Sequence, residues 1–151
     1  MKNTICDYGV AVDKNWKDYW LERYGKINFD TESLKINEKG NIVSLGKENP
    51  KIEEIDARYI GILKFSKEAL KNIIKILERD SEEYSNKAWQ QSGKNIKQAY
   101  MTDLLQALIE DKEEVKAIEF ENGWIEFDTN EDYEKAITWT KDLKIKKFLK
   151  S

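Results

Sequence analysis

Apolar and polar positions alternate along the chain in several distinct rhythms. The run Tyr8-Gly9-Val10-Ala11-Val12 is short and continuous, the pattern of a buried strand. Asp13 follows in an N-cap position. Trp16, Tyr19, Trp20 and Tyr24 then recur at helical spacing, which predicts a helix over 14–23 with an aromatic face. Leu34-Lys35-Ile36-Asn37 and Ile42-Val43-Ser44-Leu45 each alternate and flank Glu38-Lys39-Gly40-Asn41, where glycine supplies positive φ; this predicts a hairpin. Segments 25–32 and 46–56 read as loop. Tyr59-Ile60-Gly61-Ile62-Leu63-Lys64-Phe65 reads as a strand whose glycine marks a bulge or a closely approached backbone.

Ser66 stands as the cap of a second helix carrying Leu70, Ile73, Ile74 and Leu77 to about residue 79. The polar stretch 81–97, with Trp89 in its middle, gives no clear element. Thr102 stands as the cap of a helix with Leu104, Leu105, Leu108 and Ile109. Residues 115–120 read as a strand, and Gly123-Trp124-Ile125-Glu126-Phe127-Asp128 as another after a short turn. Thr129 or Asn130 caps a last helix with Tyr133, Ala136, Ile137 and Thr140 on one face, and the basic tail 141–151 extends as further helix. Strands alternating with helices, with one hairpin inserted, predict an α/β or mixed α+β layered fold. There is no repeat and no Pro-rich linker, so residues 1–151 are expected to form one domain.

Composition narrows the chemistry. The chain is 40% hydrophobic, 36% charged and 11% aromatic, a globular composition. Twenty-six basic against 29 acidic residues leave a net charge of −3, which argues against binding driven by nucleic-acid phosphates. There is no histidine, which excludes Ser-His-Asp and Cys-His catalysis and any His-ligated metal. The single Cys6 forms neither an internal disulfide nor a cysteine zinc site. A metal would have to be a hard cation on carboxylates, such as Mg²⁺. No apolar run is long enough to span a membrane and Met1-Lys2-Asn3-Thr4 is no signal segment, so the expectation is a cytoplasmic protein without membrane partners.

One ordered set of segments is more specific than its parts. Ala99-Tyr100-Met101-Thr102-Asp103-Leu104-Leu105 is followed by Val115-Lys116-Ala117-Ile118 and then by Gly123-Trp124-Ile125-Glu126-Phe127-Asp128-Thr129. This resembles the C-terminal part of the small-molecule nucleotidyltransferases that act on choline phosphate, phosphonates and sugar phosphates. That family has a similar "tyrosine, x, threonine, aspartate, leucine, leucine" helix start and a "tryptophan, x, glutamate, x, aspartate, threonine" strand end. Val10-Ala11-Val12-Asp13 with Trp16, the hairpin, and Ala57-Arg58-Tyr59-Ile60-Gly61-Ile62 match earlier segments in the same order, so the resemblance covers about residues 7–140. It implies a mixed-sheet, Rossmann-like nucleotidyltransferase fold. The family's Gly-rich phosphate loop and first metal aspartate have no counterpart here; no two glycines lie closer than Gly40 and Gly46. The resemblance therefore implies a chain lacking the N-terminal nucleotide-binding half, with a nucleotide bound only when that half completes it.

The same resemblance implies Mg²⁺-dependent transfer of a nucleotidyl group, CMP from CTP, to a phosphorylated or quaternary-ammonium small molecule. Asp128 would be a metal ligand with Glu126 beside it; the alternatives are a capping acid and a solvated face. Asp103, Tyr59, Trp124 and Lys47 would face the acceptor. Asp103 is equally a first-turn acid, and Lys47 a solvent-facing loop residue. Trp16, Tyr19, Trp20 and Trp89 are also candidates for an aromatic cage around a quaternary ammonium, or else core. The other readings are a non-catalytic small-molecule-binding module, and a partner subunit that supplies an N-terminal half with its second half in trans. An open strand edge would favour a homodimer or association with that half.

Overall fold

A computed structural model describes residues 5–149. Strand β1 (Tyr8–Asp13) is buried at all six positions, which is why it reads as a continuous apolar run. It is the middle strand of a three-stranded sheet. On one side it pairs antiparallel with β4 (Arg58–Phe65), on the other parallel with β5 (Val115–Phe120). The hairpin forms as expected, β2 (Glu32–Ile36) against β3 (Ile42–Glu48), as a separate two-stranded sheet. Single bridges tie it to its surroundings, Asn41 to Lys116 and Leu34 to Ile55.

Four helices complete the mixed α/β architecture: α1 (Trp16–Tyr24), α2 (Lys67–Ser81), α3 (Met101–Glu110) and α4 (Asn130–Lys141). Ser66 caps α2, its hydroxyl accepting from the Ala69 amide at 3.0 Å. Thr129 caps α4 in a reciprocal box with Asp132. In α2 the buried face is Ala69, Ile73, Ile76 and Asp80, whereas Leu70 and Ile74 of the expected stripe lie exposed. On that inner face the Asp80 carboxylate accepts from the buried Trp89 indole at 2.9 Å.

Three further expectations are corrected. Segment 123–128 is not a strand: it makes no ladder, and the Gly123 amide donates to the Phe148 carbonyl instead. Thr102 does not cap α3. It sits inside the helix, buried against Gly46, and the first turn is closed by Asp103, which accepts from the Tyr100 amide at 2.8 Å. The basic tail forms only a short 3-10 turn at Lys144–Lys147; residues 150 and 151 lie outside the described range.

Gly61 answers to backbone geometry. The β1–β4 register jumps between Val10, opposite Leu63, and Val12, opposite Tyr59, so β4 bulges there. Gly61 has φ +77° and a Cβ there would meet nothing within 4 Å. The left-handed backbone requires glycine; no close approach does.

Two apolar clusters form. One joins β1, the hairpin, α2 and α3 through Val10, Val12, Leu45, Ile76, Leu105 and Leu108. The other gathers Trp16, Tyr19, Trp20, Ile55, Trp139 and Phe148. The aromatic stripe of α1 is thus core.

Candidate functional site

β1 and β5 run parallel, so their carboxyl ends at Asp13 and Phe120 lie side by side. In α/β sheets ligands bind outside such ends. Asp13 was expected as a helix cap, but α1 is preceded by Asn15 without any side-chain cap. Asp13 is fully buried and organises the loop instead. One oxygen accepts from the Asn15 and Asn122 amides at 2.8 and 3.0 Å, and the other from the Trp124 indole at 2.8 Å. The Tyr19 hydroxyl accepts from the Glu126 amide at 2.8 Å. Segment 121–128 is therefore pinned across the end of the sheet as an ordered loop.

That loop delivers its acids to Arg23. The spacing of residues 16, 19, 20 and 23 places Arg23 on the buried face of α1, where it is 1% exposed. A buried guanidinium must be paired. Its Nε and Nη2 donate to the two oxygens of Asp132 at 2.7 and 2.8 Å, Nη1 to Glu126 at 2.5 Å, and Nη2 also to Asp128 at 2.7 Å. Burial alone would weaken the Arg23 cation. The bonds to Asp132 and Asp128 outweigh it and hold the group above its ordinary value. The Arg23 hydrogen bonds in turn hold the Asp132 carboxyl well below the usual carboxylate range, against the opposing effect of burial. Asp132 also accepts from the Asp128 and Thr129 amides, so α4's first turn is built around this one carboxylate.

Above this pair lies a cleft of about 660 Å³ lined by Tyr24, Lys26, Phe29, Asp30, Asn49 and Asp128. It adjoins a second of about 400 Å³ that shares Asp30 and Asn49 and adds Glu32, Glu48 and Tyr100. Burial pushes the Tyr24 hydroxyl up to about 12. A larger cleft of about 950 Å³ opens at the opposite, amino end of β1, beside Cys6, Asp7 and Lys116. The cleft lined by Asp128 is the stronger candidate, because Asp128 shares the buried Arg23 with Asp132.

The structure brings together only part of the expected set. Glu126 and Asp128 share Arg23. Trp124 is held by Asp13 and packs edge-on against Tyr19 at 5.3 Å between ring centres. Tyr59 packs against the other apolar cluster, so Trp124 and Tyr59 form no cage. Trp89 belongs to that core as well. Asp103 is fully buried, with both oxygens taken up by Ser92 and Tyr100. Lys47 is half exposed and pairs with Glu54 at 2.7 Å. Sequence reasoning missed Arg23 and Asp132 and read Asp13 only as a helix cap. An arginine on an apolar helix stripe, and the Thr129-x-x-Asp132 spacing, were the available signals.

The carboxylates implied as metal ligands, Glu126 and Asp128, both lie on Arg23. Each gives an oxygen to a guanidinium, and among the described residues no group of three or more Cys, Asp or Glu side chains could hold a metal ion. Among them, too, no helix is long and apolar enough to cross a membrane.

No protein-family profile matches the chain, and no solved structure does. Among curated proteins it is similar to a CTP:phosphoglutamine cytidylyltransferase from Campylobacter jejuni subsp. jejuni, 38% identical over 138 residues. The match takes in 89% of this chain and 51% of that protein. The chain spans about half the length of the relative it matches.

Proposed function

We propose that this chain carries the acceptor-binding part of a cytidylyltransferase-like enzyme that moves CMP from CTP to a phosphorylated small molecule. The observation that carries the reading is the 38% identity to a cytidylyltransferase along nearly the whole chain. The cleft that Asp128 lines supports it, since one Asp128 oxygen accepts from Arg23 and, among the described residues, the other makes no hydrogen bond. In such a transfer an acceptor phosphate oxygen bonds to the α-phosphorus of CTP. The bond from that phosphorus to the bridging oxygen breaks, and pyrophosphate leaves. The part proposed for this chain is to bind and orient the acceptor in the cleft, with Arg23 fixing the loop that carries Asp128.

The test is pyrophosphate release from CTP with phosphoglutamine or phosphocholine as acceptor, comparing wild type with Asp128→Asn. Release that disappears in the variant supports the reading. Release unchanged in the variant overturns the role of Asp128. A second reading, a binding module that acts only with a nucleotide-binding partner, is favoured by the scattering of the seven glycines, which leaves no phosphate loop in this chain. It predicts acceptor binding without pyrophosphate release.

A further inference from the structure

Helix α2 carries more apolar surface than the fold covers. Its inner face is Ala69, Ile73, Ile76 and Asp80. Leu70, Ile74 and Leu77 recur at the spacing of a second stripe, about 100° round the helix from the first. They remain 49%, 54% and 36% exposed. Scattered exposed aliphatics are ordinary, but three in one row along a helix form a patch of the kind that marks an interaction surface.

The polar contacts of α2 fix where that stripe points. Asn72 donates to Glu113 and to the Tyr8 hydroxyl, and Arg79 donates to Asp111 at the end of α3. That side of α2 therefore faces the end of α3 and the approach to β5. The stripe lies on the opposite side, about 180° away. It is turned toward the flank of the sheet where β4 is the last strand among the described residues.

The charges beside the stripe decide what fits it. Lys67, Lys71 and Glu78 border it on its solvent side, the lysines beside its first half and the glutamate beside its second. The best match to this pattern is the pattern itself, reversed. With α2 laid antiparallel on a second α2 and Ile74 opposite the partner's Ile74, Leu70 falls within about 1.5 Å, along the axis, of the partner's Leu77. Lys71 falls equally close to the partner's Glu78. A two-fold axis makes each match occur twice. Lys71 is free to exchange partners, because its ion pair with Glu68, at 2.8 Å, is exposed on both sides.

We propose that the outer stripe of α2 is a docking surface for a second copy of this chain. The two α2 helices pack antiparallel about a two-fold axis at Ile74, with Leu70, Ile74 and Leu77 at the centre and two Lys71–Glu78 pairs at the rim. One helix face buries less than a standard interface, so the dimer is a weak one that forms as concentration rises.

Sedimentation velocity of the full chain from about 10 μM to about 1 mM tests this. The sedimentation coefficient is expected to rise with concentration. Ile74→Asp, which sets two carboxylates against each other on the axis, is expected to abolish the rise. Lys71→Glu and Glu78→Lys are each expected to weaken association about fivefold or more. The double variant restores opposite charges across the axis and is expected to recover the association of wild type. All three positions are exposed, and circular dichroism confirms that each variant folds. A monomer throughout the range overturns the proposal, as does association that Ile74→Asp leaves unchanged. A double variant no better than the two single ones overturns it as well, since only the antiparallel two-fold register brings residues 71 and 78 together.

Discussion

Arg23 shows how one side chain sets the local structure. It links α1, the loop after β5 and the start of α4, and its partner Asp132 is 6% exposed. Arg23→Met would strand that carboxylate without its cation. A loss of about 3–5 kcal/mol is expected, read by urea denaturation. Arg23→Lys keeps the charge but not the two-pronged fork, so a smaller loss is expected. The pair also dictates a pH response. Asp132 is held low in the folded state and has an ordinary value, about 3.9, when unfolded. Its contribution is therefore complete above the unfolded value and is lost as pH falls from about 5 through the folded one. Thermal melting against pH should show a steep acid limb in wild type and a flatter one in Asp132→Asn, which is also the less stable protein at neutral pH. These residues were only half legible in sequence. Arg23 lies on the aromatic stripe, so its burial could be read from spacing. Its three acids come from more than a hundred positions away, and no local pattern names them.

At the scale of elements, the segments that the residue pattern misread are those held by side chains. Asp103 joins the start of α3 to Ser92, and so fixes the polar stretch between α2 and α3. Asp103→Ala is expected to cost about 1–3 kcal/mol. It should also speed amide exchange at Ser92 and Tyr100 well before the strands respond, as hydrogen exchange would show. A substrate role alone would leave exchange unchanged. The loop 121–128 behaves alike. Trp124→Phe keeps a ring against Tyr19 and removes only the indole bond to Asp13, so a loss of about 1 kcal/mol is expected from denaturant unfolding. Helices and strands with regular periodicity were legible because their hydrogen bonds are local or repetitive. A loop tied down by Asp13 looks like a strand in sequence, since its alternation of Trp124, Glu126 and Asp128 comes from packing against α1 rather than from a ladder.

For the molecule as a whole, β4 remains an edge strand, paired only with β1 and exposed at Gly61 and Ile62. Exposed edges invite pairing, although the bulge at Gly61 twists this one. Self-association at high concentration is expected in sedimentation velocity, reduced by Ile62→Lys. A monomer at all concentrations would show that the bulge is protection enough. The sequence by itself determined the buried strand, the hairpin, the places of the four α-helices, the cap at Ser66 and the likeness to nucleotidyltransferases, and it narrowed the last cap to Thr129 or Asn130. All of these follow from neighbours within a few residues or from ordered motifs. Only the tertiary structure decided that Glu126 and Asp128 meet a guanidinium, that Asp103 closes a loop, that Tyr59 and Trp124 face different cores, and that Arg58 lies over the Trp20 ring. Charge pairing in the interior depends on which distant segments the sheet brings to its carboxyl end, and a buried charge is neutralised by whichever acid arrives there.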